Sequence, residues 1–129
     1  MRGICCLKPG LEGVSDNIRV VSIVGRFLEH SRIYAFERGD EQSVWIGSAD
    51  LMPRNLDTRV ELMTRVQDPT LRDDLLDTLE RCFGDDTNAW ELDAHGTWRR
   101  RTPQGPEPRS VQRELMLGHA ARAAETVSA

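Results

Sequence analysis

Residues 28–55, LEHSRIYAFERGDEQSVWIGSADLMPRN, set a histidine, arginines, carboxylates and a Gly-Ser pair among apolar runs. These types can handle phosphate. An imidazole with an ordinary pKa of about 6.5 donates a proton to a leaving oxygen near neutrality, or binds an anion as a cation. Guanidinium groups meet phosphate oxygens bidentately, and of the 17 basic residues only Lys8 is not an arginine. By residue type alone, His30 is more often a surface or packing residue than a catalytic one, and Gly47-Ser48 reads equally as a plain strand end. The spacing is His30-x-Arg32, four residues, Glu37, nine residues, then Gly47-Ser48-Ala49-Asp50, with Arg54 and Asn55 following in MPRNLD.

Those residues need elements to hold them. The runs IRVVSIV (18–24), RIYAFE (32–37), SVWIG (43–47) and RVELMTRV (59–66) are rich in β-branched and aromatic residues and are short enough to be strands. A further strand is expected over 3–7. RGDEQ between the second and third runs is a turn, so those two form a hairpin. The spacing predicts a helix over 68–83, with Asp68 as its cap, Pro69 in the first turn, Leu71, Leu75, Leu76, Leu79 and Phe83 on one face, and Gly84 as its stop. AWELDAHGTWRRR reads as a hairpin turning at 93–96, TPQGPEP as a linker, and 110–124 as a last helix capped by Ser110. MPRNLD reads either as lining the same cleft or as a plain polar turn, the cleft being the slightly favoured of the two. Strands followed by covering helices make the fold α/β in the mixed α+β sense, a β-sheet covered by helices.

Composition sets limits on function. A chain of 129 residues that is 39% hydrophobic fits one domain with a modest core, so 1–129 is read as a single domain. The first 66 residues are electrically neutral and the rest carry the net charge of −4, which argues against a general nucleic-acid binder. The arginines of WRRR (98–101) alternate faces on a strand within acidic surroundings, and read as solvated. No apolar run reaches the roughly 18 residues of a membrane span and no signal-peptide pattern occurs, so the expected location is the cytoplasm. Cys5, Cys6 and Cys82 fit neither a disulfide framework nor a metal spacing, and are expected to be buried thiols. His95, in a turn, and His119, on an Ala-rich helix, read as solvated.

The 30–50 pattern resembles the phospholipase D superfamily motif, H-x-K-x4-D followed by G-S-x-N, with Arg32 for the lysine, Glu37 for the aspartate and Asp50 for the asparagine. RGICCLKPG, the segment from SDNIRV to FLEHSRIY, and IGSADLMPRNLDTRVE together closely resemble the final domain of bacterial polyphosphate kinase. The resemblance is specific from Arg2 to about residue 83 and looser to about residue 118. It implies a phospholipase D-like domain that is the last portion of a longer enzyme. That enzyme would transfer the terminal phosphate of ATP reversibly to polyphosphate, releasing ADP, through a phosphohistidine borne by a preceding domain.

On that resemblance His30 matches the second active-site histidine, and Arg2 matches an arginine that contacts the nucleotide phosphates. Arg32 and Ser48 are apt for phosphate, with Glu37, Asp50, Arg54 and Asn55 as further cleft candidates. Parallel-type packing would bring these segments together at strand ends. Mg2+ is expected for the reaction, with ligands outside these residues, since no carboxylate cluster has ligand spacing. The implied partners are ATP, polyphosphate and the upstream domains, with no nucleic acid and no membrane segment; a homo-oligomer of the whole enzyme is compatible. Two other readings stand beside this one: half of a phospholipase D-like hydrolase, which Arg32 and Asp50 disfavour, and a phosphate-binding module without chemistry.

Overall fold

The computed structural model describes residues 6–127, so Arg2 and most of the strand expected over 3–7 lie outside the described residues; Cys6 and Leu7 carry no regular structure. The elements are β1 (Val21–Ile23), β2 (Ile33–Arg38), β3 (Glu41–Gly47), α1 (Pro53–Thr58), β4 (Met63–Val66), α2 (Pro69–Gly84), β5 (Ala89–Leu92), β6 (Trp98–Arg100) and α3 (Val111–Val127). The fold is mixed α+β. Two compact units divide the chain: Leu28–Glu80, and the segments on either side of it.

The unit 28–80 is built on a three-stranded sheet in the order β2-β3-β4. β2 and β3 pair antiparallel from Ile33 opposite Ile46 to Arg38 opposite Glu41. Gly39 turns between them with φ of 58°, the positive value that a two-residue hairpin turn requires of its first central residue. β4 then pairs antiparallel with β3, with Val44 opposite Val66. Val44 is wholly buried and Ala49 nearly so, making the small core of this unit. Among the described residues both sheets are antiparallel throughout, without the parallel packing expected from the sequence. Tight turns join antiparallel neighbours, whereas a parallel pair needs a long crossover.

Where a strand was expected from residue 59, the ladder begins only at Met63, because the preceding residues are committed elsewhere. Pro53 opens the six-residue helix α1, whose ring-locked φ suits a first helical position. Leu62 then bonds Ser48 through its backbone: its C=O accepts from the Ser48 N–H at 3.0 Å, and its own N–H donates to Ser48 Oγ at 3.1 Å. In α2, Asp68 caps as expected, its Oδ1 accepting the Leu71 N–H at 3.0 Å. Leu75, Leu76 and Leu79 are half-buried, while Leu71 and Phe83 remain exposed.

The second unit holds the sheet β1-β5-β6. β1 pairs antiparallel with β5, Ser22 opposite Trp90, and β5 turns into β6 through Asp93, whose Oδ1 accepts the N–H groups of His95 and Thr97. Asp85, at 0% exposure, organises the interior beside Ala89 and Val111. Its Oδ1 accepts from the backbone N–H groups of Thr87 (3.0 Å), Asn88 (2.6 Å) and Ala89 (3.0 Å), and its Oδ2 from that of Val111 at 2.9 Å. Asp85 therefore supplies the side-chain cap of α3 that was expected from Ser110. The Ser110 hydroxyl instead accepts from Asn88 Nδ2 at 3.0 Å, and only its carbonyl enters the helix, accepting from the Glu114 N–H. Buried Gln112 accepts the Phe27 N–H at 3.0 Å and donates to the Phe27 C=O at 2.8 Å. The burial expected of the cysteines is not found at Cys6, which is exposed, and is only partial at Cys82; Cys5 lies outside the described residues.

Candidate active site

The β2–β3 hairpin does the assembling. Its open end puts residue 32 beside residue 47, with the Gly47 N–H donating to the Arg32 C=O at 3.1 Å. The segment His30-Ser31-Arg32 thus meets Gly47-Ser48-Ala49-Asp50 without any parallel crossover. Tyr34 braces the second segment by donating its hydroxyl to the Ala49 C=O at 2.8 Å.

Arg32 and Asp50 form an ion pair. Asp50 Oδ1 accepts from Arg32 Nε at 3.0 Å and lies 2.8 Å from the charged Nη2, with both side chains at 18% exposure. The remaining guanidinium nitrogen, Nη1, donates to the His30 C=O at 2.6 Å. His30 itself is exposed, and its imidazole has no hydrogen-bond partner among the described residues.

Ser48 and Asn55 converge on a residue that the sequence reading passed over. The Ser48 hydroxyl donates to Glu61 Oε2 at 2.5 Å, and Asn55 Nδ2 donates to Glu61 Oε1 at 2.9 Å. The Ser48 bond first, and then the Asn55 bond, hold the Glu61 carboxyl below the ordinary glutamate range, with Arg59 and Arg32 adding attraction. Ser48 has one O–H, so it can donate to a phosphate only on releasing Glu61. Asn55 is 2% exposed, and its Oδ1 has no partner among the described residues. The signal for Glu61 was available: it is the acidic residue inside the apolar run VELM, an expensive place for a carboxylate without partners.

Other candidates lie apart. Glu37 sits near the turn end of β2, roughly 16 Å along the strand from Arg32 at about 3.3 Å per residue, and accepts from Gln42 Nε2 at 2.7 Å. Arg54 is exposed on α1, one residue from buried Asn55. Arg2 lies outside the described residues. In the other unit the arginine run is occupied: Arg99 faces Asp93, Arg100 donates to the Thr87 C=O, and Arg101 reaches Glu91 and the Phe83 C=O. Arg101 is at 16% exposure, so it is a structural residue and not the solvated one expected. His95 is exposed in its turn, and exposed His119 meets Arg122 at 2.8 Å.

Among the described residues no group of three or more His, Cys, Asp or Glu side chains could hold a metal ion. Asp50 and Glu61 fit Mg2+ poorly, since each is already neutralised or bonded by protein donors. No helix among these residues is long and apolar enough to cross a membrane. A cleft of about 400 Å3 lies in the other unit, lined by Pro9, Ile18, Leu92 and the paired arginines.

Residues 1–112 match the family described as polyphosphate kinase C-terminal domain 2. The polyphosphate kinase of Synechocystis sp. is 47% identical over 120 residues, covering 93% of this chain and 16% of that protein. That of Streptomyces coelicolor is 49% identical over 118 residues, 90% of this chain and 16% of the relative. The crystal structure of polyphosphate kinase from Porphyromonas gingivalis superposes with a TM-score of 0.86 at 38% identity, over 94% of this chain and 18% of that one. The chain thus spans about a sixth of the curated relatives it matches.

Proposed function

Because this chain belongs to the polyphosphate kinase C-terminal domain family, we propose that its 129 residues serve as the C-terminal domain of a longer cytoplasmic phosphotransferase. That enzyme moves the terminal phosphate of ATP reversibly onto polyphosphate through a phosphohistidine on an upstream domain. His30 is the second histidine of its site, Arg2 and Ser48 face phosphate, and Arg32 adjoins them beside His30. Mg2+ comes with ligands from outside these residues.

The observation that supports this most is the convergence of His30, Arg32 and Ser48 at one hairpin end, closed by the Gly47–Arg32 backbone bond. A phosphoryl group in transfer carries charge on its non-bridging oxygens, which guanidinium and hydroxyl donors stabilise. An unpartnered, exposed imidazole is available to protonate a leaving oxygen, a contribution of typically about 10²–10⁴-fold in rate. With the nucleophilic histidine elsewhere, the 129 residues alone are expected neither to make polyphosphate nor to take up label from ATP. Stable label on His30 would assign it the nucleophile's role and overturn this reading. In the full-length enzyme, His30→Ala should remove most synthesis while leaving the fold intact.

A further inference from the structure

His30 is carried on a stretch, residues 28–31, that belongs to neither helix nor strand and is exposed throughout. Its ring has no partner among the described residues, so its aim is set by the backbone that carries it. Two bonds contribute to holding that backbone near the histidine. One is the Gly47 N–H on the Arg32 carbonyl, and the other is Arg32 Nη1 on the His30 carbonyl at 2.6 Å. The second exists only while the guanidinium is turned the right way, and Asp50 does the turning. A single carboxylate oxygen, Oδ1, accepts from Nε and sits in ion-pair contact with Nη2, which holds that edge of the fork and leaves Nη1 to reach the carbonyl of residue 30.

Every nitrogen of Arg32 is therefore engaged within the protein, in a pair that is largely withdrawn from solvent. A residue used chiefly to grip a mobile polyphosphate would keep its fork turned outward. We infer that Asp50 and Arg32 are positioning residues: Asp50 orients Arg32, and Arg32 holds the peptide of His30 so that the imidazole projects at a set angle. This rests on the reading of His30 as an active-site residue. It also gives the aspartate at the fourth position of Gly47-Ser48-Ala49-Asp50 a purpose: a neutral amide there would grip a guanidinium less firmly.

The test uses the full-length enzyme with Asp50→Asn and Arg32→Lys. A lysine keeps the charge but has one nitrogen where the fork has three, so it cannot span Asp50 and the His30 carbonyl together. Each substitution should lower kcat roughly 10- to 100-fold, the scale of an ångström of misplacement. KM for ATP should stay within about twofold, because binding in the ground state is not what is lost. Hydrogen exchange in the peptide covering 28–32 should quicken in both variants. A raised KM with kcat kept in Arg32→Lys would make Arg32 a phosphate ligand and overturn the inference, as would wild-type exchange over 28–32. His30→Ala, assayed alongside, separates the two levels. If it keeps its turnover, the functional reading fails, while exchange still judges the restraint by itself.

Discussion

Ser48 shows how one small side chain serves two masters, since its oxygen donates to Glu61 and accepts from Leu62. Removing it in Ser48→Ala takes away the largest influence that depresses the Glu61 carboxyl, so a carboxyl-detected NMR titration should find Glu61 moving up toward its ordinary value of 4.5. The sign for stability follows: a carboxyl depressed on folding stabilises fully above its unfolded pKa near 4.5, and that contribution disappears as pH falls through the lower folded value. Ser48→Ala should accordingly flatten the acid limb of the stability curve, and an unchanged limb would remove Glu61 from the account. At this scale the sequence disclosed residue types but not allegiances. His30, Arg32 and Ser48 stood out as residue types suited to phosphate; that Arg32 is tied to Asp50, and Ser48 to Glu61, depends on which side chains a hairpin places opposite each other, and no spacing rule encodes that.

Elements were legible where their signal is local. Asp68-Pro69 announces α2, and the bond from Leu71 to Asp68 makes a plain expectation: Asp68→Ala should cost about 0.5–2 kcal/mol, read as a lower urea midpoint with unchanged slope. α1 was missed because six residues span too few turns to show a period, and its Pro and Asn read as turn formers. The cap of α3 was misassigned because its donor to Asp85 lies 26 residues from that aspartate. Asp85→Ala would leave four backbone N–H groups without their acceptor, at about 1–3 kcal/mol each when buried, enough to unfold its unit at ambient temperature. Circular dichroism of the purified variant checks it. Gly25 makes a subtler case: a Cβ there would stand 2.4 Å from Gln112 Oε1, so Gly25→Ala should break the pair of hydrogen bonds between Gln112 and Phe27 and cost about 1–3 kcal/mol.

Over the whole molecule, charge and openness decide what the isolated chain does with anions. The region around His30 belongs to a neutral half of the sequence, and two or three charge-assisted bonds to a hydrated phosphate give affinity on the order of millimolar, about 4 kcal/mol. In an NMR titration with triphosphate, shifts should move over 28–32 and 47–55 and fade as salt rises. Movement confined to Arg99–Arg101 would place the anion surface in the other unit. The mixed α+β class was readable from the run of elements, whereas the division into two sheets was not. The β2–β3 and β5–β6 hairpins carry turn signals, but nothing near residue 21 or residue 91 advertises that they pair.

That pairing has a consequence in time. β2, β3 and β4 complete their sheet within residues 33–66, using tight connections only, while β1 must wait for β5, 70 residues downstream in the pairing of Val21 with Glu91. Closing so long a loop costs entropy before any contact repays it, and structures dominated by distant pairings form slowly. On a ribosome adding roughly 5–20 residues per second, the strands of the sheet beside His30 are synthesised about 1–5 seconds before the partner of β1 is complete. In pulse-labelled refolding, amides of Val44 and Trp45 should gain protection ahead of those of Ser22 and Trp90.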